Sequence, residues 1–492
     1  MNSTLSPKSF GALFLFIAAA FLPLDAQAQL GGGGGGLGGG LGGGGAGGGG
    51  GGLAGIHVDA SGVLARISKD PTGQLTKQRF QAARKELGAM AKQWRKLRMV
   101  SLNRLEAAVQ ACTENNQRPS NDMLALAGLT RLQYVFFIPE TNDIVVGGQA
   151  EPYFDDGNGE TRGMKSGRPV VLLEDLVVAL RAFAPSVPAQ RLIGCSIDPT
   201  QEGLQNYNQA VRAIQASGVR EARVISQTLK DAMGKHDVSI FGVSPKTRFA
   251  HVLLSADYRM KLIGIGLEKP PVRIKSFTEL SRGPENMVRW FFTPNYETVR
   301  VSDDGLAMQL TGDGVKLVGE DEIVNADGSR RAVGKTTGAS KRFVDGFTRK
   351  YISLANAEPV YGHLRNLIDL SIAAAYIQQQ DFYGQAEWGM DFFADESQFS
   401  VELYNAPEKV NTAVNAIWKG GQLRTPIGGG VSIHPGIALE SHNLLSDEDG
   451  ELQGKLENVD IAKLPADRWW WDAEMVAKGN DQAAAVLPRD RR

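Results

Sequence analysis

The chain predicts a mixed α/β or α+β fold, with two domains of mixed sheets and packed helices after a disordered glycine-rich linker. Three observations carry that expectation. Apolar runs of strand length alternate with helical periods through about residue 275. From Met287 to Val333 the pattern turns to strands, and two helical stretches follow. The first 55 residues hold an apolar leader and a low-complexity tract of nearly pure glycine, neither suited to a packed core.

The leader is built as a secretory signal peptide spanning 1–28. Lys8 supplies a short basic start, Phe10 to Leu24 an apolar stretch, and Ala26-Gln27-Ala28 a small-residue cleavage site. Cleavage between Ala28 and Gln29 leaves Gln29 as the first mature residue. From Gly31 to Gly52 only Leu37, Leu41 and Ala46 interrupt the glycines. The segment 29–55 therefore reads as a flexible tether, since glycine loses the most backbone freedom on ordering and offers no side chain to dock. These features predict an exported, periplasmic or extracellular protein.

Composition narrows the partners. With 53 basic and 54 acidic residues the formal net charge is −1, so no global field draws the chain to nucleic acid or an anionic membrane. Hydrophobic residues at 42% and charged residues at 22% suit an ordinary globular body. The leader is the one long apolar run and is too short to span a bilayer, so no membrane span is expected in the mature protein.

The first domain is expected at 56–275. Ile56 to Ile67 reads as a short strand pair. Thr76 to Asn115 reads as two helices broken near Ser101, which can cap the second. The first of these carries Lys77, Arg79, Arg84, Lys85, Lys92, Arg95, Lys96 and Arg98 against Glu86. Such a face can meet an anionic polymer or surface, although a solvated face balanced elsewhere is the plainer reading. Leu132 to Ile138 and Asp143 to Val146 flank Pro139-Glu140-Thr141-Asn142 as a β-hairpin. Asp155-Asp156-Gly157-Asn158-Gly159-Glu160 lacks the ligand spacing of a calcium loop and reads as a hydrated turn. A helix from Glu174 to Phe183, a strand from Arg191 to Ile197, a helix from Glu202 to Ala216, a strand from Val238 to Val243 and a helix from Thr247 to about Leu267 complete this part. The second domain, 276–465, is expected to build on the strands around Trp290, a helical stretch from Ala339 to Ser353, a helix from Pro359 to Gln379, and later strands near Phe399 and Gly429. A polar tail, 466–492, contains Trp469-Trp470-Trp471.

Motifs of known chemistry are weak. Gly328 to Thr336 imitates a phosphate loop but has five residues between its glycines where four are required. No nucleophile elbow and no zinc-protease helix occurs. His434, Glu440 and His442 match no metal spacing, so no metal and no cofactor is expected. Cys112 and Cys195 are the only cysteines. An oxidising compartment permits a bridge worth about 4 kcal/mol in the chain-entropy model, while a buried apolar thiol is the simpler reading of Cys195.

On the helix from Thr247, Phe249, Val252, Leu253, Ala256, Met260 and Ile263 share one face, and Arg248, His251, Ser255 and Arg259 share another arc. A histidine beside two arginines can bind a carboxylate or phosphate or move a proton, but amphipathic helices ordinarily show water such a stripe. Arg365 and Asp369 stand four residues apart on the Pro359 helix, whose second half is apolar nearly all round and therefore buried. Arg248, His251, Asp257, Arg259, Arg365 and Asp369 are the candidate binding residues, with Asp198 as a further charged position to mutate and no catalytic role assigned.

Several segments together resemble a known family. They are Gln133 to Gly148, Gly167 to Leu176, Cys195-Ser196-Ile197-Asp198-Pro199-Thr200, Gly242 to His251, and Ala256-Asp257-Tyr258-Arg259-Met260-Lys261. The combination is similar to an exported family typical of planctomycete bacteria, catalogued only as a domain of unknown function, over roughly residues 56 to 435. The resemblance supports export and implies no activity and no catalytic residues. The expected function is an exported non-enzymatic binding or scaffold protein of the cell envelope or extracellular space, partnered by an envelope protein or polymer. The alternative is an exported hydrolase whose site is formed by scattered charged residues.

Overall fold

Two large sheets organise the chain, and both are mixed. The computed structural model describes residues 55–88, 93–281, 287–296, 298–324, 327, 329–332, 334, 336, 338–415, 428–457, 461 and 464–474. The leader, the Ala28–Gln29 cleavage pair and the glycine tract lie outside the described residues, as do 475–492 of the tail.

The nine-stranded sheet runs Ile56–Val58, Val63–Arg66, Lys409–Asn411, Lys235–Phe241, Ile193–Pro199, Gly429–Ile433, Met287–Asn295, Gly314–Val324 and Arg330–Ala332. Val63–Arg66 with Lys409–Asn411, and Gly429–Ile433 with Met287–Asn295, pair parallel; the other neighbours are antiparallel. The seven-stranded sheet runs Leu444–Ser446, Thr298–Val301, Ala307–Thr311, Tyr134–Ile138, Asp143–Ala150, Arg95–Ser101 and Trp470–Asp472. A small antiparallel pair joins Tyr153–Asp155 to Thr161–Gly163. The mixed α+β class is thus the observed one. Each large sheet takes strands from both sides of residue 275, the expected domain boundary, and all described residues fall within one compact unit, Ala46–Arg492.

The helix Pro359–Gln379 is the centrepiece of the core. Every residue from Val360 to Ile377 is buried, as its apolar second half requires. It packs on the helices Leu173–Ala182, Arg248–Gly264 and Gly338–Ala357. Gly362 permits one of these close approaches, because a Cβ there would stand 2.6 Å from the Pro169 ring. The hairpin Tyr134–Ile138/Asp143–Ala150 forms as expected, with Asn142 turning at φ 54°. Ser101, Thr200 and Thr247 cap helices by accepting from the backbone N–H of Arg104, Gly203 and Ala250.

Two expectations are corrected. The helical reading across 76–115 holds for Gln74–Leu87 and Leu102–Glu114, but Arg95–Ser101 is a strand. Its inward residues Leu97 and Met99 alternate at the strand period, and besides Asp143–Ala150 it has a second partner far along the chain. That partner is the tryptophan segment assigned to a polar tail. Trp470 pairs with Val100, Trp471 with Met99 and Asp472 with Arg98, while Asp472 accepts from Arg98 Nε at 2.7 Å and Arg95 Nε at 2.9 Å. All three tryptophans are buried.

The Trp471 side chain fills a satellite core with Leu97, Met99, Phe136 and Leu452. Trp471→Ala should therefore cost about 3–5 kcal/mol, the range for emptying a large aromatic site. The denaturant midpoint checks this, and an unchanged midpoint would mean that the segment is not part of the fold.

Candidate functional site

The helix Arg248–Gly264 was expected to show its polar arc to water. It does not: Arg248, His251, Ser255 and Arg259 are all buried, because other elements cover this helix on every side. Each charged group must then find a partner, since an unpaired buried charge is strongly unfavourable.

Arg248 finds four. It pairs with Asp175 through Nη1. Its Nη2 lies 3.4 Å from Glu160 Oε2 and 2.9 Å from His363 Nε2, and its Nε lies 3.8 Å from Glu174 Oε1. His363 Nε2 stands 2.7 Å from the same Glu160 oxygen. Burial first, then the adjacent Arg248 charge, lowers the His363 pKa, so the ring is neutral at neutral pH. Its Nε2 meets both groups at once, so it accepts from Arg248 as the Nδ1–H tautomer or donates to Glu160 as the Nε2–H tautomer. Burial alone would raise the Glu160 carboxyl, but His363 and Arg248 outweigh it and bring the pKa down to about 2. Burial pushes both Glu174 and Asp175 up against the pull of Arg248.

Glu160 belongs to the loop that read as a hydrated turn, and this too is corrected. Asp156 is 1% exposed. Its Oδ1 accepts from the N–H groups of Asn158 and Glu160 at 2.8 and 2.9 Å. Asn158 Oδ1 in turn accepts from the backbone of Lys69 and Asp70. The loop is closed on itself and fastened to the segment after the N-terminal strand pair, with Asp156 and Gly157 buried and Asp155 and Gly159 left to water. On its other side Arg79 Nη1 donates to the Asp156 carbonyl at 2.7 Å, and Phe80 meets Phe154 edge-on at 5.3 Å. The exposed basic helix Gln74–Leu87 is thereby joined to the loop.

Between these parts lies a cleft of about 270 Å³. Arg66, Lys69, Arg162 and Arg259 line it as cations, and Asp156, Glu160 and Glu358 as anions. Glu358, Pro359 and Val360 form part of its wall, so the first turn of the 21-residue Pro359–Gln379 helix opens on it with the positive end of its dipole. Most of these charges are tied: Arg259 bonds Glu268 at 2.6 Å and Glu358 at 2.6 Å, Arg66 reaches Glu268 at 3.1 Å, and Arg162 reaches Asp156 at 3.5 Å. Lys69 is exposed.

The candidate residues are thus distributed over several places. Arg259 lines the cleft and Arg248 stands behind its Glu160 wall. His251 bonds the Asn405 carbonyl at 2.9 Å and lies tilted against the ring of Tyr404, whose hydroxyl lies 3.5 Å from Glu174. Asp257 pairs with Lys261 at 2.8 Å. Asp198 pairs with Arg289 at 3.2 Å. Asp369 pairs with Arg131 at 3.2 Å, away from the cleft residues, and Arg365 is near it. Sequence reasoning missed Glu160, His363, Glu358 and the cleft cations Arg66, Lys69 and Arg162. One signal was present: a helix buried all round must partner any histidine it carries.

Cys112 and Cys195 are free thiols, so the bridge that an oxidising compartment permits is not formed. Cys195 is enclosed in the middle of the nine-stranded sheet between Gly429–Ile433 and Lys235–Phe241, whereas Cys112 is on the helix Leu102–Glu114. Among the described residues, no group of three or more His, Cys, Asp or Glu is arranged to hold a metal ion, and no helix is long and apolar enough to cross a membrane.

Residues 195–277 match the family model described as "Protein of unknown function (DUF1598)". That segment carries Arg248, His251, Asp257 and Arg259, while Glu160, His363 and Glu358 lie outside it. No curated protein and no solved structure matches the chain.

The lowered pKa of Glu160 sets a testable acid limb. A carboxyl held below its ordinary value of 4.5 contributes stability that is complete above that pH and is lost as pH falls towards about 2. Glu160→Gln should lower stability at pH 7 and flatten the loss between pH 4.5 and 2. Thermal midpoints of both proteins across that range measure it, and parallel curves would count against the Arg248–Glu160–His363 contact.

Proposed function

We propose that this chain is an exported, non-enzymatic binding protein of the cell envelope or extracellular space that takes an anionic polymer, its glycine tract serving as a spacer. The observation that carries the reading is the continuity of the cleft with the basic helix. Arg66, Lys69, Arg162 and Arg259 line the cleft, and the Asp156 carbonyl joins its wall to the helix bearing Lys77, Arg79, Arg84 and Lys85. The positive end of the Pro359–Gln379 helix adds to the same field. An acidic sugar entering the cleft and a chain lying along the helix would use both surfaces. The formal net charge of −1 argues for this local recognition over a general attraction to polyanions.

A second reading, an exported hydrolase, is favoured by one observation. Asp156 and Glu160 line the same cleft, and their surroundings push their carboxyls apart: burial raises Asp156, and the His363 and Arg248 contacts lower Glu160. Such a division is the way a general acid and its ionised partner are made.

Binding of an oligogalacturonate, with neutral dextran as control, separates these readings. The acidic oligosaccharide should bind, weaken with salt as exposed charges are screened, and lose about tenfold or more in affinity in Lys77→Glu/Arg84→Glu/Lys85→Glu. Equal affinity for dextran, or no effect of the triple variant, would overturn the binding reading. Shortening of the oligosaccharide by the wild type but not by Asp156→Asn would favour the hydrolase.

A further inference from the structure

A second group of buried charges lies in the core, and the cleft does not use it. At the middle of the Pro359–Gln379 helix, Arg365 and Asp369 stand one turn apart, and Arg131 reaches them from the segment before the Tyr134–Ile138 strand. Asp369 is fully buried and both of its oxygens are taken: Oδ1 accepts from the Tyr296 hydroxyl at 2.7 Å and Oδ2 from Arg131 Nε at 3.2 Å. The Arg365–Asp369 pair that their spacing suggests is not made within 4.0 Å. Arg365 is 2% exposed, and among the described residues it reaches no carboxylate at ion-pair distance. Its Nε and the Nη2 of Arg131 are both buried without a hydrogen-bond partner among the described residues.

Among the described residues, Asp369 is the one carboxylate at ion-pair distance of either arginine. Arg168 adds a third guanidinium that repels Arg365, while Asp313 acts on Arg131 and Glu151 on Arg168 from beyond ion-pair distance. The two arginines converge on one point of the backbone. A Cβ on Gly314, at φ +82°, would stand 3.2 Å from Arg365 Cγ and 3.5 Å from Arg131 Nη2.

Two neighbouring buried guanidinium groups of which one alone has a carboxylate in contact are unfavourable unless another negative charge compensates them. We propose that Arg131 and Arg365 form a buried site for one small monovalent anion, of halide or formate size, held by charge-assisted hydrogen bonds from Arg131 Nη2 and Arg365 Nε. The site is separate from the cleft, and its ligand is a structural anion rather than a polymer.

The test combines diffraction with stability on the mature chain. Crystals soaked in sodium bromide should show an anomalous peak within hydrogen-bonding distance of both nitrogens. In solution, the thermal midpoint should rise by several degrees as sodium chloride replaces sodium gluconate at constant ionic strength, as binding to the folded state alone requires. Arg365→Met should lose the halide dependence, and Arg131→Gln serves in its place should the first variant not fold. No peak at these nitrogens, or a midpoint indifferent to halide in the wild type, would overturn the proposal. A peak without a solution effect marks an adventitious ion only and overturns it as well.

Discussion

Arg248 is where the parts of this protein that shape the cleft are tied together. Its guanidinium takes Asp175 and Glu174 from the Leu173–Ala182 helix, Glu160 from the loop between Tyr153–Asp155 and Thr161–Gly163, and sits against His363 of the Pro359–Gln379 helix. Burying so many charges is costly, and the arrangement is tolerable only because each is met at close range. Removing one partner from such a set typically costs about 3–5 kcal/mol, since it leaves the others exposed to a medium that does not solvate them. The hub therefore does less to add stability than to specify one packing of helices and loop.

That specification is what gives the cleft its form. Glu160 faces the cleft on one side and the hub on the other, so its carboxylate is fixed and ionised. Asp156 holds the loop from within, and Arg79 fastens the basic helix to it. The cations of the cleft are set by the same logic: Arg259 and Arg66 share Glu268, and Arg259 also holds Glu358 at the start of the central helix. A surface whose side chains are already ordered by neighbours loses less entropy on meeting a ligand than one that must order them on contact. The Arg131–Arg365 group differs because its positive charges outnumber the carboxylates in contact with them.

The sequence made local structure legible and left distant pairing obscure. Ser101 was a readable cap because capping depends on residues three positions apart. The 134–146 hairpin followed from its turn and its two apolar runs. Arg95–Ser101 was misread because its strand alternation is short and mixed with basic residues, and one of its two partners, Trp470–Asp472, lies over 370 residues away. The interleaving of both sheets across residue 275 is likewise a product of long-range pairing that no local period reveals. In the site, Arg248 and Arg259 were noticed as members of one arc, but their exposure was inferred from helix amphipathicity, which fails where a helix is covered on every side. Glu160 was set aside because a run of Asp, Gly and Asn resembles any solvated turn, and only the tertiary contacts of Asn158 and Asp156 show otherwise.

The central claim is that Arg248 holds the Glu160 loop and the start of the central helix in place. Hydrogen–deuterium exchange of Arg248→Gln against the wild type tests it most directly. Faster exchange confined to residues 153–163 and the first turns of the Pro359–Gln379 helix, with both large sheets unchanged, is the predicted result. Unaltered exchange in the loop, or a uniform increase across both sheets, would contradict it.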